Sequence, residues 1–131
     1  MQRDSTYLSP FVRSYIETAL WSSNDGDGVP LDSAKYADAE LAEGTIAQFV
    51  ADCERFQVAY EKLIAGLDDN VLRSFPPEDH IPHDFWLTRN RHGAGFWDGD
   101  YPEPIATQLT ELAHSFGECD LYVGDDGLLY V

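Results

Sequence analysis

The chain has 131 residues with 24 acidic and 8 basic side chains, a net charge of −16, and it is 44% apolar and 13% aromatic. That apolar content excludes an acidic disordered tail, which lacks the side chains to offset chain entropy, and the length suits one domain, 1–131, around one core. The charge argues against direct contact with nucleic acid or an anionic membrane, because those partners require clustered Lys and Arg, and only Arg89 and Arg91 lie close together.

Gln2-Arg3-Asp4-Ser5 is not followed by a long apolar run, so no signal peptide is expected. Leu8, Phe11, Val12, Tyr15, Ile16, Ala19 and Leu20 recur at steps of three and four and predict an amphipathic helix. Ser9 is placed to cap it and Pro10 suits its first position. Ser22 to Pro30 is a loop by composition. Ile46, Phe49, Val50, Cys53, Phe56, Tyr60, Leu63, Ile64 and Leu67 predict a second, longer helix. Gly44 leaves its start open, with Asp38–Leu41 as a separate turn. Asp68-Asp69-Asn70 ends this helix or begins a short connecting one.

Pro76, Pro77 and Pro82 are expected to prevent regular structure until about His83. Phe85-Trp86-Leu87-Thr88 then reads as a strand, Asn90-Arg91-His92-Gly93 as a turn and Gly95-Phe96-Trp97 as the returning strand. Pro104 opens a third helix with Ile105, Leu109, Leu112, Ala113 and Phe116 inward and Gly117 as its stop. Leu121-Tyr122-Val123 and Leu128-Leu129-Tyr130 are strands joined by an Asp125-Asp126-Gly127 turn. The expected fold is therefore α+β. N-terminal helices (about 9–70), one of them long, pack on a small antiparallel sheet of two hairpins with an intervening helix (about 83–131).

Cys53 and Cys119 form neither a zinc motif nor a disulfide framework. No run approaches the ~20 apolar residues of a membrane span. A cytoplasmic protein with reduced thiols follows as the expectation.

The loop Ser23-Asn24-Asp25-Gly26-Asp27-Gly28 has the alternating oxygens of a calcium loop. Its twelfth position is Ala34 rather than Glu, which favours a solvated turn. His80 and His83, beside Asp79 and Asp84, offer too few aligned ligands for zinc. No cofactor, metal or catalytic residue is assigned, and a non-enzymatic role is expected.

The remaining candidates are partner-binding. From Asp98 to the end there is no Lys or Arg against eight carboxylates: Asp98, Asp100, Glu103, Glu111, Glu118, Asp120, Asp125 and Asp126. Arg89 and Arg91 read as exposed cations of a hairpin turn. Strand alternation puts Trp86 on the sheet face opposite Phe85 and Leu87. Trp86 or Trp97 would then be an exposed interface anchor.

The runs His83-Asp84-Phe85-Trp86-Leu87-Thr88-Arg89-Asn90-Arg91-His92-Gly93-Ala94-Gly95-Phe96-Trp97-Asp98 and Asp120-Leu121-Tyr122-Val123-Gly124-Asp125-Asp126-Gly127 are distinctive. With Ala19-Leu20-Trp21-Ser22-Ser23 and Pro30-Leu31-Asp32, the chain resembles a group of small acidic proteins of uncharacterised function encoded by bacteriophages, prophages and mobile elements. The resemblance implies an origin, and so a host-cell cytoplasm, but no activity and no catalytic residues.

Three readings follow. An acidic protein can occupy the positive cleft of a nucleic-acid-handling or defence enzyme and inhibit it, by DNA mimicry in the limit. An adaptor would bind a host or phage protein through the aromatic hairpin. A soluble acidic domain would use its charge for solubility alone.

Overall fold

A computed structural model describes residues 8–131. The Gln2–Ser5 stretch lies outside the described residues. Helix α1 spans Pro10–Ser22, with Pro10 in its first turn. Its N-cap Ser9 accepts a hydrogen bond from the Val12 amide at 3.3 Å. Helix α2 spans Glu43–Ile64 and α3 is the short connector Asp69–Arg73. Gly44 falls in the first turn of α2, where the backbone N–H groups have no intrahelical partner and a weak helix former costs little. Helix α5, Ile105–Ser115, starts after Pro104, and Gly117 beyond its end has φ 77°. That left-handed conformation is the usual helix stop.

Strands β1 (Tyr122–Val123) and β2 (Leu129–Tyr130) pair antiparallel in the register Tyr122 with Tyr130 and Val123 with Leu129. The Asp125-Asp126-Gly127 turn joins them as the sequence predicts. The hairpin is tied to the start of α2, because Leu129 O accepts from the Ala42 amide at 2.9 Å and from Thr45 Oγ1 at 3.0 Å.

The first predicted hairpin does not exist. Residues 80–89 form helix α4, His80–Arg89, and residues 90–104 form an irregular loop. Pro82 does not prevent this helix. It is the third residue of the first turn, where the missing N–H would have had no partner inside the helix. Strand alternation fails with it: Phe85, Trp86 and Leu87 are all buried. The α+β description survives only coarsely, as five helices and one two-stranded sheet among the described residues. The helices do not pack on a sheet face. They pack on one another, α4 against α1 and α5, and α2 against α1 and α5.

Aromatic rings fill the centre. Trp86 meets Tyr15 edge-on at 5.3 Å and Phe49 at 5.6 Å, while Phe56 stacks on Phe85 at 4.1 Å. Offset and edge-on pairs of this kind add to area burial. The Trp86 indole N–H reaches the surface side of the core and donates to Ser22 Oγ at 2.8 Å.

Arg89 is the polar centre of this core and is 3% exposed, which corrects its reading as a turn cation. Its Nη1 donates to Asp52 Oδ2 and to Tyr15 Oη, each at 2.9 Å. Its Nε donates to Gly117 O at 2.9 Å and its Nη2 to Phe116 O at 3.1 Å. The guanidinium thus caps the C-terminal end of α5, where carbonyls lack intrahelical partners and the helix dipole favours a cation. Asp52 is also held by Arg55 Nη1 at 3.3 Å. Removing one member of a buried pair strands the other charge, which costs about 3–5 kcal/mol. Arg89→Met is therefore expected to lower unfolding free energy by about that amount. Urea denaturation checks it, and a loss within the ~0.5 kcal/mol typical of surface substitutions would refute the burial.

Candidate protein-binding surface

The loop after α4 divides its aromatics. The Phe96 ring is wholly buried, stacked 5.9 Å from Phe56, whereas Trp97 is 52% exposed. Thr88 Oγ1 accepts from the Phe96 amide at 3.0 Å and locks this division. Gly95 is required beside it: a Cβ there would come 2.2 Å from Thr88 Oγ1. Asn90 holds the other side of the loop. Its Nδ2 donates to Trp86 O at 3.1 Å and its Oδ1 accepts from the Cys119 amide at 2.7 Å. Arg91 follows at φ 57° and is exposed.

Of the residues predicted to meet a partner, the structure leaves Arg91, Trp97 and all eight C-terminal carboxylates exposed. Trp86 and Arg89 are buried and unavailable as surface contacts. Three of the acids have local tasks. Asp98 accepts from the Gly95 amide at 3.3 Å, and Glu103 accepts from the Thr107 amide at 2.9 Å at the start of α5. Asp126 accepts from the Leu128 amide at 3.0 Å and from Tyr130 Oη, which holds its carboxyl below the usual range. Glu111, the one acid of α5, lies two turns beyond Glu103 on the exposed side with Thr107.

The described ion pairs with Lys and Arg use Asp25 and Asp52. In the loop Asn24 to Gly28, the Asp25 carboxylate accepts from the Asp27 and Val29 amides, Lys35 Nζ and Tyr36 Oη. Those bonds, led by the Tyr36 hydroxyl, hold its carboxyl far below the usual range. The loop is an internally satisfied turn.

The sequence sets Asp84 beside His80 and His83 but gives no sign of its burial or of its partner Tyr101. This carboxyl is 4% exposed and accepts from Tyr101 Oη at 2.8 Å. Burial pushes it up to about 6; the Tyr101 hydrogen bond and His80 oppose that shift, and the Asp98 and Asp100 charges add to it. His83 stacks on Trp21 at 5.5 Å, and its Nδ1 lies 3.3 Å from Thr18 Oγ1. Thr18 gives its one hydroxyl proton to Ser14 O, so Nδ1 is the donor in that contact. Burial, and then the nearby His80, push the His83 pKa down. His80 and His83 tilt at 45° with rings 6.4 Å apart. Among the described residues, no three His, Cys, Asp or Glu side chains converge on a metal position.

No helix of the described residues is long and apolar enough to cross a membrane. No protein-family model matches the chain, and no curated protein or solved structure matches it.

Asp84 gives a pH signature. Its folded pKa of about 6 lies above the 3.8 of a free carboxyl, so the folded state binds the extra proton between those values. Its contribution favours folding at low pH and is lost as pH rises through about 6. His83 acts oppositely, its contribution falling as pH drops through the ordinary 6.5. Asp84→Asn removes the first effect alone. Chemical denaturation at stepped pH should show the native chain gaining stability relative to this variant on acidification from about 7 to about 4. Parallel curves would contradict the burial of Asp84.

Proposed function

We propose that the protein is a non-enzymatic protein-binding module that engages a basic surface through its C-terminal acids, with Trp97 as the apolar anchor. One observation carries this reading. All eight carboxylates from Asp98 onward are exposed, no Lys or Arg occurs in that stretch, and an exposed tryptophan stands at its head. Exposed aromatics set among polar neighbours are typical centres of binding energy.

A basic protein surface of this kind belongs above all to enzymes that hold nucleic acid, whose clefts attract polyanions. The favoured role is therefore inhibition or modulation of a host nucleic-acid-handling or defence enzyme. Magnitude limits how literally DNA is copied. With 24 acids over 7312 Å², the surface averages about one charge per 300 Å². Duplex DNA carries on the order of one per 100–150 Å² of cylinder. The C-terminal stretch, rather than the whole surface, is the proposed contact. The exposure of Trp97 favours, as a second reading, an adaptor that binds a host or phage protein mainly through that ring. The resemblance to phage and mobile-element proteins suits both roles.

The test is inhibition of a panel of restriction, recombination and CRISPR nucleases by the intact protein. Neutralising Asp100, Glu111, Glu118 and Asp120 as amides should weaken inhibition by at least about tenfold. Neutralising Glu17, Asp32, Asp38 and Glu54, which are equally exposed, should leave it nearly unchanged. Added salt should weaken the native interaction, because surface charge contacts are screened. Equal losses in both variants, or no inhibition of any nuclease, would reject the inhibitor reading. Binding that Trp97→Ala abolishes and salt leaves intact would favour the adaptor.

A further inference from the structure

Two hollows of about 330 and 340 Å³ adjoin where α1, α2 and the start of α4 meet. They share Phe11, Gln57 and Glu78, so they form one groove. The apolar lining is Pro10, Phe11 and Pro82 in one hollow and Phe11, Tyr60, Ile64 and Ile81 in the other, with Phe11, Tyr60 and Ile64 only half-buried. Phe11 leans on the core through Phe56, with ring centroids 6.2 Å apart, and leaves its other side to the groove. The charged lining is Glu61, Glu78 and Asp79, all exposed, and among the described residues no Lys or Arg lines either hollow.

We infer that this groove docks a basic segment of another protein, which sets one large apolar side chain in each hollow and pairs its cations with Glu61, Glu78 and Asp79. Three considerations select that occupant. Paired apolar hollows recognise spaced apolar anchors, as grooves between helices do in peptide recognition. The acidic walls favour Lys or Arg beside those anchors and repel an acidic segment. A second copy of this chain is a poor occupant, since each copy carries −16 and a self-paired groove would bring two sets of these three carboxylates together. The groove draws on α1, α2 and α4, and none of the acids from Asp98 onward lines it. It therefore stands apart from the surface proposed above and survives the failure of that reading.

A random library of short peptides displayed on phage and selected on the intact protein provides the test. Enriched peptides should carry two large apolar residues and at least one Lys or Arg. The most enriched peptide, synthesised with a fluorophore, is then titrated by anisotropy. Glu61→Lys combined with Glu78→Lys should weaken it by about tenfold or more. Asp32→Lys combined with Asp38→Lys, which makes the same change of charge in the segment between α1 and α2 that lines neither hollow, should weaken it far less. Circular dichroism checks that both variants fold, and amide shifts of Phe11, Tyr60 and Ile64 on titration locate the peptide independently. Recovery of no binder, selection of peptides lacking cations, or equal weakening in the two charge variants would overturn the inference.

Discussion

The structure depends on one buried cation. The Arg89 guanidinium is almost wholly withdrawn from water, a step that is unfavourable unless its charge is paired and its N–H groups are satisfied. Both conditions are met. Asp52 supplies the charge, and Tyr15 Oη, Gly117 O and Phe116 O accept the remaining hydrogen bonds. Those acceptors belong to α1, α2 and the end of α5, while Arg89 itself closes α4. A single side chain therefore registers four helices, and the Phe85 and Phe116 rings, in edge contact with each other, each lie 5.7 Å from its charge.

The position of the outer surface follows from that registry. Thr88 and Asn90, on either side of Arg89, hold the loop at the Phe96 amide and the segment after α5 at the Cys119 amide. With those points fixed, Phe96 turns inward and Trp97 turns out. The burial of Arg89 also withdraws one of the two cations nearest in sequence to the C-terminal acids and leaves Arg91 at the surface. Net charge is thus sorted as well as large: one positive group is spent inside the core, and the negative groups from Asp98 onward remain outside.

The readable parts of the fold are those where one face meets water. Helices α1 and α5 show their periodicity because polar residues fill the outer side, and Ser9, Pro10 and Gly117 mark ends by backbone chemistry. The Asp125-Asp126-Gly127 turn is legible for the same reason. Helix α4 is buried on nearly every side from Ile81 to Arg89, with His83 the half-buried exception. A buried helix has no amphipathic period, and a short apolar run reads equally as a strand. Pro82 reinforced that error, although a proline in a first turn is compatible with a helix. A helical alternative was present in the spacing of Ile81, Phe85 and Arg89, one turn apart. The candidate surface was legible in its acids, since no Lys or Arg occurs from Asp98 onward. It was not legible in its aromatics or in Arg89. Trp86 and Trp97 look alike until α4 replaces a strand, and the partner of Arg89 lies 37 residues away on another helix.

A double-mutant cycle on Arg89 and Asp52 bears most directly on this account. Arg89→Met and Asp52→Leu, alone and together, are compared by urea denaturation. If the pair acts as one buried unit, each single variant strands a partner and the double variant recovers part of the loss, with a coupling of about 1–3 kcal/mol. Losses that add to within about 0.5 kcal/mol would show that the two side chains do not interact in the folded protein, and would contradict the registry built on them.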